Sequence, residues 1–326
     1  MTIEPRADEA LPGEENSDAA VFSLAAAPGF HAGKAGCAFA AARSGLRRSE
    51  DGGQTWTDGL ADLALSGPLP ITSLAVSPAY DHDGLVFAGT AGGILHSIRG
   101  GPGWKTVVFP PPSPSVSALA ISPNFTEDET LFAGTIEDGV FVSRDSGEQW
   151  YSWNFGLLDL NVLALAASPN FKADDTVFAG TETGLFRSTS GGRAWREVEL
   201  PFGYDPVISL ALSPRYGEDH RLYIGCETRG LWVSSDEGDH WLRLAEGNLP
   251  DAVNSILVSG SDLVAATGDG LWQAVEDKTQ WISRLPRQYQ ALGITAVLAP
   301  QGTGPGSALL VGFADGSVHP VTLSST

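Results

Sequence analysis

The stretch Ala118-Leu-Ala-Ile-Ser-Pro123 decides the fold, because near-copies of it return along the whole chain. Clear copies begin at Ser73, Ala164 and Ser209, and weaker ones at Ser23, Ser255 and Ala296. The second residues of successive copies are 50, 45, 46, 45, 46 and 41 positions apart. A nearly fixed period of this size is typical of repeat architectures. The chain is therefore built from seven copies of one unit.

Each copy predicts four short strands. In the third copy the first apolar run ends at a Ser-Pro pair, where proline stops a strand because it cannot donate a ladder hydrogen bond. Three more runs follow, separated by acidic and glycine-containing turns: Leu131-Phe-Ala-Gly-Thr135, Gly139-Val-Phe-Val-Ser143 and Trp150-Tyr-Ser-Trp153. Such runs indicate an antiparallel meander, and no stretch shows sustained helical periodicity. The sequence predicts an all-β, seven-bladed β-propeller of four-stranded blades.

The two ends of the chain bear on how this ring closes. The last copy ends after its third strand, residues 317–323, so the seventh blade lacks a fourth strand. The segment Thr2-Ile-Glu-Pro-Arg6 is short enough to supply it, with its proline at a sheet edge and residues 8–18 as an acidic connection. The alternative is a disordered acidic tail beside an incomplete blade. We divide the chain into a leader, residues 1–20, and one propeller domain, residues 21–326.

A polar turn between the third and fourth strands is the most specific pattern. Three copies read Ser-x-Asp-x-Gly-x-x-Trp, and their defining residues are Ser49, Asp51, Gly53 and Trp56; Ser143, Asp145, Gly147 and Trp150; and Ser234, Asp236, Gly238 and Trp241. We expect the aspartate to accept amide hydrogen bonds of its own turn, the glycine to adopt a positive φ, and the tryptophan to pack between sheets. Two other copies keep Trp104 and Trp195 without the acid, and the sixth keeps only Trp281.

This turn resembles the Asp-box, or BNR repeat, of sialidases, some glycosidases, sortilin-type receptors and photosystem assembly factors. The resemblance covers roughly residues 20 to 326 and extends to uncharacterised bacterial BNR-repeat proteins. In those families the Asp-box is a folding element at the periphery, away from the catalytic face, so the resemblance implies a structural role for these residues. The photosystem factors show an arginine patch as a family, whereas this chain is acidic.

Composition narrows the range of partners and compartments. The chain has 39 acidic and 19 basic residues and a formal charge of −20, which disfavours nucleic acid and anionic membranes and favours neutral or basic partners. Its two cysteines lack metal-type or framework spacing, so we expect free thiols and a reducing compartment. No signal-peptide pattern and no apolar run of 18 residues is visible. We expect a soluble, cytoplasmic protein.

Ligand-binding faces of propellers are generally formed by the loops between strands two and three and by the connectors between blades. We expect the two-three loops to contribute mostly acids, and these are Arg43, Glu137, Asp138, Glu182, Glu227, Arg229, Asp269 and Asp315. The connectors contribute Trp153, Phe155, Phe202, Tyr204, Arg287 and Tyr289. An acidic inner ring with aromatic surroundings suits a basic, neutral or polyhydroxylated partner. The alternative is that Asp and Gly simply make good hairpin turns.

The sequence gives little support for a catalytic site or for a metal site. A sialidase needs three arginines, a tyrosine nucleophile and acidic partners, and the sialidase-type Arg-Ile-Pro element near the N-terminus is absent. Another glycosidase could use paired carboxylates such as Glu137, Asp138, Glu182 or Glu227, whose convergence the sequence does not show. The acidic turns near Asp81, Glu127, Asp174 and Glu218 lack the alternating ligands of a calcium loop. No metal site and no cofactor is predicted.

Two functions from different classes remain. The first is a non-catalytic protein-interaction or scaffold propeller within a larger assembly, with a neutral or basic protein partner. The second is a carbohydrate-active enzyme or a glycan-binding lectin that uses the same loop face. The sequence favours the first, because its most specific motif is structural and no catalytic set is visible.

Overall fold

Seven antiparallel sheets follow one another along the chain. The computed structural model describes residues 19–97, 103–110, 113–247, 249–275, 280–304 and 306–323. The strands are, in blade 1, β1 Val21–Ala26, β2 Ala38–Ala42, β3 Gly45–Ser49 and β4 Thr57–Asp58; in blade 2, β5 Ser73–Val76, β6 Val86–Thr90, β7 Gly93–Ser97 and β8 Trp104–Val108; in blade 3, β9 Ser115–Ile121, β10 Leu131–Ile136, β11 Val140–Ser143 and β12 Tyr151–Ser152; in blade 4, β13 Val162–Ala167, β14 Val177–Thr181, β15 Leu185–Ser188 and β16 Arg196–Val198; in blade 5, β17 Val207–Leu212, β18 Leu222–Cys226, β19 Leu231–Ser234 and β20 Leu242–Leu244; in blade 6, β21 Ser255–Ser259, β22 Asp262–Thr267, β23 Gly270–Val275 and β24 Gln280–Ser283; and in blade 7, β25 Ile294–Leu298, β26 Ala308–Phe313 and β27 Val318–Thr322. The predicted seven-bladed all-β propeller is confirmed.

The first strands of the blades form the inner wall of the ring. Each contacts the first strand of the next blade, and β1 contacts β25, which closes the circle. The strands of each blade are hydrogen-bonded in chain order from the inside outwards. They surround a central channel of about 400 Å³, whose described lining consists of serine, threonine, asparagine and apolar side chains. The signature Leu-Ala-x-Ser-Pro phrase therefore ends the innermost strand of its blade.

Blade 7 has three strands within the described residues. The predicted closing strand, Thr2–Arg6, lies outside those residues and stays a prediction. The outer strand β27 carries Pro320 opposite Leu310, and a proline is tolerated there because an edge strand leaves one side of its backbone unpaired.

The hydrophobic core is divided into seven clusters, one between each pair of neighbouring blades. Six of the clusters contain a tryptophan that directly precedes a fourth strand or is its first or second residue, and these are Trp56, Trp104, Trp150, Trp195, Trp241 and Trp281. The cluster between blades 6 and 7 is built without one and takes Tyr289 at its edge. The expected packing of these tryptophans between sheets is confirmed, and it explains why a short repeated strand can be stable.

Four of the acidic turns are single helical turns: α1 Tyr80–Asp83, α2 Phe125–Asp128, α3 Phe171–Asp174 and α4 Tyr216–Asp219. In each, the serine of the Ser-Pro pair donates a hydrogen bond to the aspartate that ends the turn, as Ser122 Oγ does to Asp128 Oδ2 at 2.6 Å. The same aspartate accepts the amide of Thr130. Helical periodicity could not reveal elements this short. One acid of each turn is thus engaged in shaping the backbone.

Candidate functional site

The Ser-x-Asp-x-Gly-x-x-Trp turns, called Asp-box turns below for their resemblance to that motif, form closed hydrogen-bond networks. Ser49 Oγ donates to Asp51 Oδ1 at 2.8 Å and accepts the Gly53 amide at 2.8 Å. Asp51 Oδ1 also accepts the amide of Thr55 at 2.9 Å. Hydrogen bonds from the Thr55 hydroxyl and amide lower the pKa of Asp51 to about 2, because they favour the charged carboxylate. The carboxylate of this aspartate is engaged by hydrogen bonds within its own turn.

The turns of blades 3 and 5 repeat this arrangement, and blade 4 replaces its acid. Asp236 Oδ1 accepts the His240 amide at 2.9 Å, and hydrogen bonds from the His240 amide and ring lower the pKa of Asp236 to about 2. In blade 4, Ser190 Oγ accepts the Ala194 amide at 3.1 Å. A hydroxyl can thus stand where the Asp-box has its carboxylate, so loss of the acid does not mean loss of the turn.

The acidic turns between the first and second strands of a blade lie on the same face as the Asp-box turns. The Ser146 amide donates to the Glu129 carbonyl at 3.1 Å, and the Glu237 amide donates to the His220 carbonyl at 3.2 Å. Glu237 also pairs with Arg187 of the preceding blade at 3.0 Å. Serines, amides and basic side chains engage one or more acids at each of these turns, so this face has the character of a structural rim. No group of three or more metal-binding side chains occurs in the described residues.

On the opposite face, the two-three loops of blades 4 and 5 are tied to the connectors that enter those blades. Asp159 Oδ2, in the connector before blade 4, accepts the Thr183 amide and hydroxyl, both at 2.8 Å. Burial opposes ionisation of Asp159, but hydrogen bonds from Asn161 and Thr183 prevail, and the pKa of Asp159 is lowered. In blade 5, Asp205 accepts the Thr228 amide in the same way. These aspartates hold the loop face rigid.

Asn161 joins two of the predicted acids. Its Oδ1 accepts the Glu137 amide at 2.9 Å, and its Nδ2 donates to Glu182 Oε2 at 3.0 Å. The Glu227 amide likewise donates to the carbonyl of Pro206 in the next connector. None of the predicted loop acids belongs to the described channel lining. Glu137, Glu182 and Glu227 therefore lie beside connectors, outside the described lining of the channel.

Other predicted residues of the loop face have local partners. Arg229 Nε lies 3.8 Å from the buried Asp205 carboxylate. Asp138, in the loop with Glu137, offers its carbonyl to Asn154 Nδ2 at 2.8 Å. Asp269 accepts the Thr267 hydroxyl, and Asp315 accepts the amide and hydroxyl of Ser317. Arg43 is exposed in the two-three loop of blade 1, and Arg287 is exposed in a 3-10 helix before blade 7. Arg43, Arg229 and Arg287, the predicted arginines of the loop face, therefore come from blade 1, blade 5 and the connector before blade 7.

The predicted aromatic residues fall into two groups. Phe202 packs against the Trp232 ring at 4.9 Å, and Tyr289 stacks on His319 at 5.1 Å, so both rings are partly buried. Trp153 packs into the cluster between blades 3 and 4, and its ring lies about 5.3 Å from the guanidinium carbon of Arg144. Arg193 approaches the same ring at 5.4 Å.

Phe155 and Tyr204 differ, because their side chains are 81% and 76% exposed. Phe155 lies in the connector between blades 3 and 4, where its carbonyl accepts the Trp195 amide at 2.8 Å. In the same connector Leu158 is 79% exposed. Large apolar side chains this exposed and this close in the chain indicate a contact surface.

Two adjoining depressions, of about 450 and 330 Å³, lie between these connectors. They share Thr183, Glu197 and Tyr204, and we call them together the blade 4 groove. Its described lining is Leu158, Asp159, Leu160, Thr183, Gly184, Phe186, Glu197, Val198, Glu199, Leu200, Gly203 and Tyr204. The groove thus combines exposed apolar side chains with carboxylates.

Sequence reasoning named Tyr204 for this region and missed Leu158, Leu160, Glu197 and Glu199. The two glutamates belong to or follow the outer strand β16, where alternate residues face the same side of the sheet. Glu197 lies opposite Phe186 in the sheet, so it faces blade 3. The alternation in Arg196-Glu-Val-Glu-Leu200 could have indicated this, because acids at every second position of an edge strand share a face.

No family model matches the chain, and no curated protein matches it. Solved structures do resemble it. The extracellular domain of a protein described as a hybrid two component system of B. thetaiotaomicron is 18% identical, with a TM-score of 0.70, over 96% of this chain and 39% of the other. An ancestral GH74 enzyme is 17% identical, with a TM-score of 0.69, over 92% of this chain and 44% of the other. YCF48 bound to D1 peptide is 15% identical, with a TM-score of 0.66, over 95% of both chains.

These similarities show the seven-bladed propeller fold. The chain spans 39% of the length of the first of these structures, and the three include an enzyme as well as a peptide complex. No helix of the described residues is long and apolar enough to cross a membrane. Function has to be argued from the groove itself.

Proposed function

We propose that this protein is a non-catalytic binding module of the Asp-box type, which holds a segment of a partner protein in the blade 4 groove. The observation that carries the proposal is the exposure of Leu158 and Tyr204 at the edges of the groove, 79% and 76%. Soluble proteins seldom leave grouped apolar side chains exposed unless a partner covers them. Covering a leucine or an aromatic ring contributes about 1.5–3 kcal/mol.

The residues around the groove are held rigidly, which supports binding of a segment without a large rearrangement of the groove. The Asp159–Thr183 hydrogen bonds fix the connector to the two-three loop, so little order has to be gained when a segment binds. YCF48, which shares the fold, has a structure with a bound peptide. The three complete Ser-x-Asp-x-Gly-x-x-Trp turns are the basis on which we propose that the module is of the Asp-box type.

A carbohydrate-active enzyme is the second candidate, because Glu197 and Glu199 are both exposed and share one side of β16 and its continuation. Residues two apart along a strand are about 7 Å apart, and glycosidases use carboxyl pairs at about 5–10 Å. Turnover of aryl-glycosides that disappears in Glu197→Gln would establish this alternative and refute the non-catalytic proposal.

The proposal is tested by affinity purification from the native host followed by mass spectrometry. We expect a stoichiometric protein partner that is retained by the unmodified protein and lost in the double variant Leu158→Ser, Tyr204→Ser. The matched control is Val108→Ser with Leu242→Ser, which removes two exposed apolar side chains from other outer strands. Equal loss in both double variants, or no loss in either, would contradict a binding site in the groove.

We also propose a reducing compartment, as the free thiols suggest. Both Cys37 and Cys226 are free, and Cys226 is buried. Fractionation of the native host tests this proposal, because recovery with oxidising extracytoplasmic fractions would contradict it.

A further inference from the structure

Two of the three carboxylates of the blade 4 groove, Glu197 and Glu199, have no partner among the described residues. Among the described residues, Glu197 and Glu199 make no ion pair or hydrogen bond, and both are exposed. On the other face, Glu237 is paired with Arg187 and His220, and Glu127 with Lys172. The groove therefore presents unneutralised negative charge.

Asp159, the third acid of the groove, is already engaged. Both of its oxygens accept hydrogen bonds, Oδ1 from the Asn161 amide at 3.0 Å and Oδ2 from Thr183. It positions the wall and is not available to a ligand. The free acids are thus confined to the β16 side, and the described lining contains no lysine or arginine.

The opposite wall is apolar and aromatic. Leu158 and Leu160 come from the connector before blade 4, and Tyr204 comes from the connector after it. Tyr204 lines both depressions together with Glu197. A phenol ring beside a carboxylate attracts a cation in two ways: the negative face of the ring makes a cation–π interaction, and the carboxylate makes an ion pair.

We propose that the segment bound in the blade 4 groove is a short stretch of a partner protein in which a lysine or arginine is flanked by leucine-like or aromatic side chains. This inference rests on the proposed function. The cation lies between Glu197, Glu199 and the Tyr204 ring, and the apolar side chains cover Leu158 and Leu160. A basic segment also suits a chain of formal charge −20, because long-range attraction speeds its approach.

The test is selection of a random twelve-residue peptide library on the full chain, followed by titration calorimetry of the selected peptides. We expect enrichment of peptides with Lys or Arg within two residues of Leu, Ile, Phe or Trp. Glu197→Gln and Glu199→Gln should each weaken binding about two- to fivefold, the range of exposed ion pairs. Raising the salt from 0.05 to 0.5 M should weaken it further.

The control variant Glu129→Gln, Glu218→Gln removes the same charge as the groove double variant Glu197→Gln, Glu199→Gln, but from exposed acids of the Asp-box face. Unchanged affinity in this variant separates local pairing from net charge, and equal weakening in both double variants would overturn the inference. Peptides that bind in a Leu158-dependent manner but lack a cation would overturn it while leaving the proposed function intact.

Three other outcomes refute the proposed function together with the inference. The first is a library in which no peptide depends on Leu158, which would show that the groove does not hold a peptide. The second is a neutral oligosaccharide that displaces the peptides from the groove. The third is self-association lost on Leu158→Ser, because the groove would then bind a second copy of this chain.

Discussion

Replacement of Gly147 by alanine tests how the Asp-box turn joins two blades. Gly147 has a φ of +86°, and an added Cβ would lie 2.7 Å from Cε1 of Phe87, a fully buried ring of the preceding blade. A left-handed backbone costs a non-glycine residue about 1–2 kcal/mol, and overpacking a rigid core costs about 1–3 kcal/mol. We expect Gly147→Ala to lower the free energy of unfolding by about 2–5 kcal/mol.

The matched control is Gly29→Ala. Gly29 has a φ of +76°, but nothing lies within 4 Å of the added Cβ, so this variant carries the backbone cost alone. Urea unfolding followed by tryptophan fluorescence gives both free energies, because six tryptophans report on the interfaces between blades. Equal losses in the two variants would refute the claim that close approach to Phe87 requires this glycine.

Three further outcomes are expected. The pKa values of Asp51 and Asp236 are lowered to about 2 from the ordinary 3.8, so each aspartate stabilises the fold above pH 4 and loses this effect as the pH falls towards 2. The melting temperatures of Asp51→Asn and Asp236→Asn should therefore vary less with pH over this range than that of the unmodified protein. Parallel curves of melting temperature against pH would contradict this. Burial raises the pKa of the Cys226 thiol to about 12, so iodoacetamide at pH 8 should modify it only in urea, and mass spectrometry that finds rapid native labelling would disprove its protection. Trp195→Ala removes a ring that is only 3% exposed and donates to the Trp153 carbonyl at 2.8 Å, so urea unfolding should show a loss of about 3–5 kcal/mol, and a loss below 1 kcal/mol would contradict its role in the interface.

The repeat made the fold predictable from the sequence. The short apolar runs, the Ser-Pro stop and the Trp near the start of the fourth strand are local signals. The runs recur in all seven copies, the Trp in six and the Ser-Pro pair in four. The structure also explains why the repeats keep a nearly fixed spacing along the chain, because each tryptophan has to reach the cluster between two blades.

The site was less predictable, because it is built from segments that differ between blades. Leu158 and Leu160 belong to one connector only, and their exposure depends on how Asp159 fastens that connector to Thr183. Trp153 was predicted among the connector residues, and its ring lies beside Arg144 and Arg193, which belong to the turns between the third and fourth strands of blades 3 and 4. Chain order places a residue in a connector, but only the tertiary structure decides which way its ring turns.

The four predicted acids that could serve a glycosidase show the same limit. Glu137 and Glu182 are near each other because both contact Asn161, a residue that no motif singled out. Glu197 and Glu199 went unnoticed because they lie at the end of a blade, in a strand that the sequence marks only by its tryptophan.

Hydrogen–deuterium exchange on the complex with the co-purified partner tests the binding role of the blade 4 groove most directly. The groove hypothesis predicts protection of the amides of residues 157–160 and 197–204, with the Asp-box turns at residues 51–56 and 236–241 unchanged. Protection confined to the Asp-box turns or to the channel strands would contradict it.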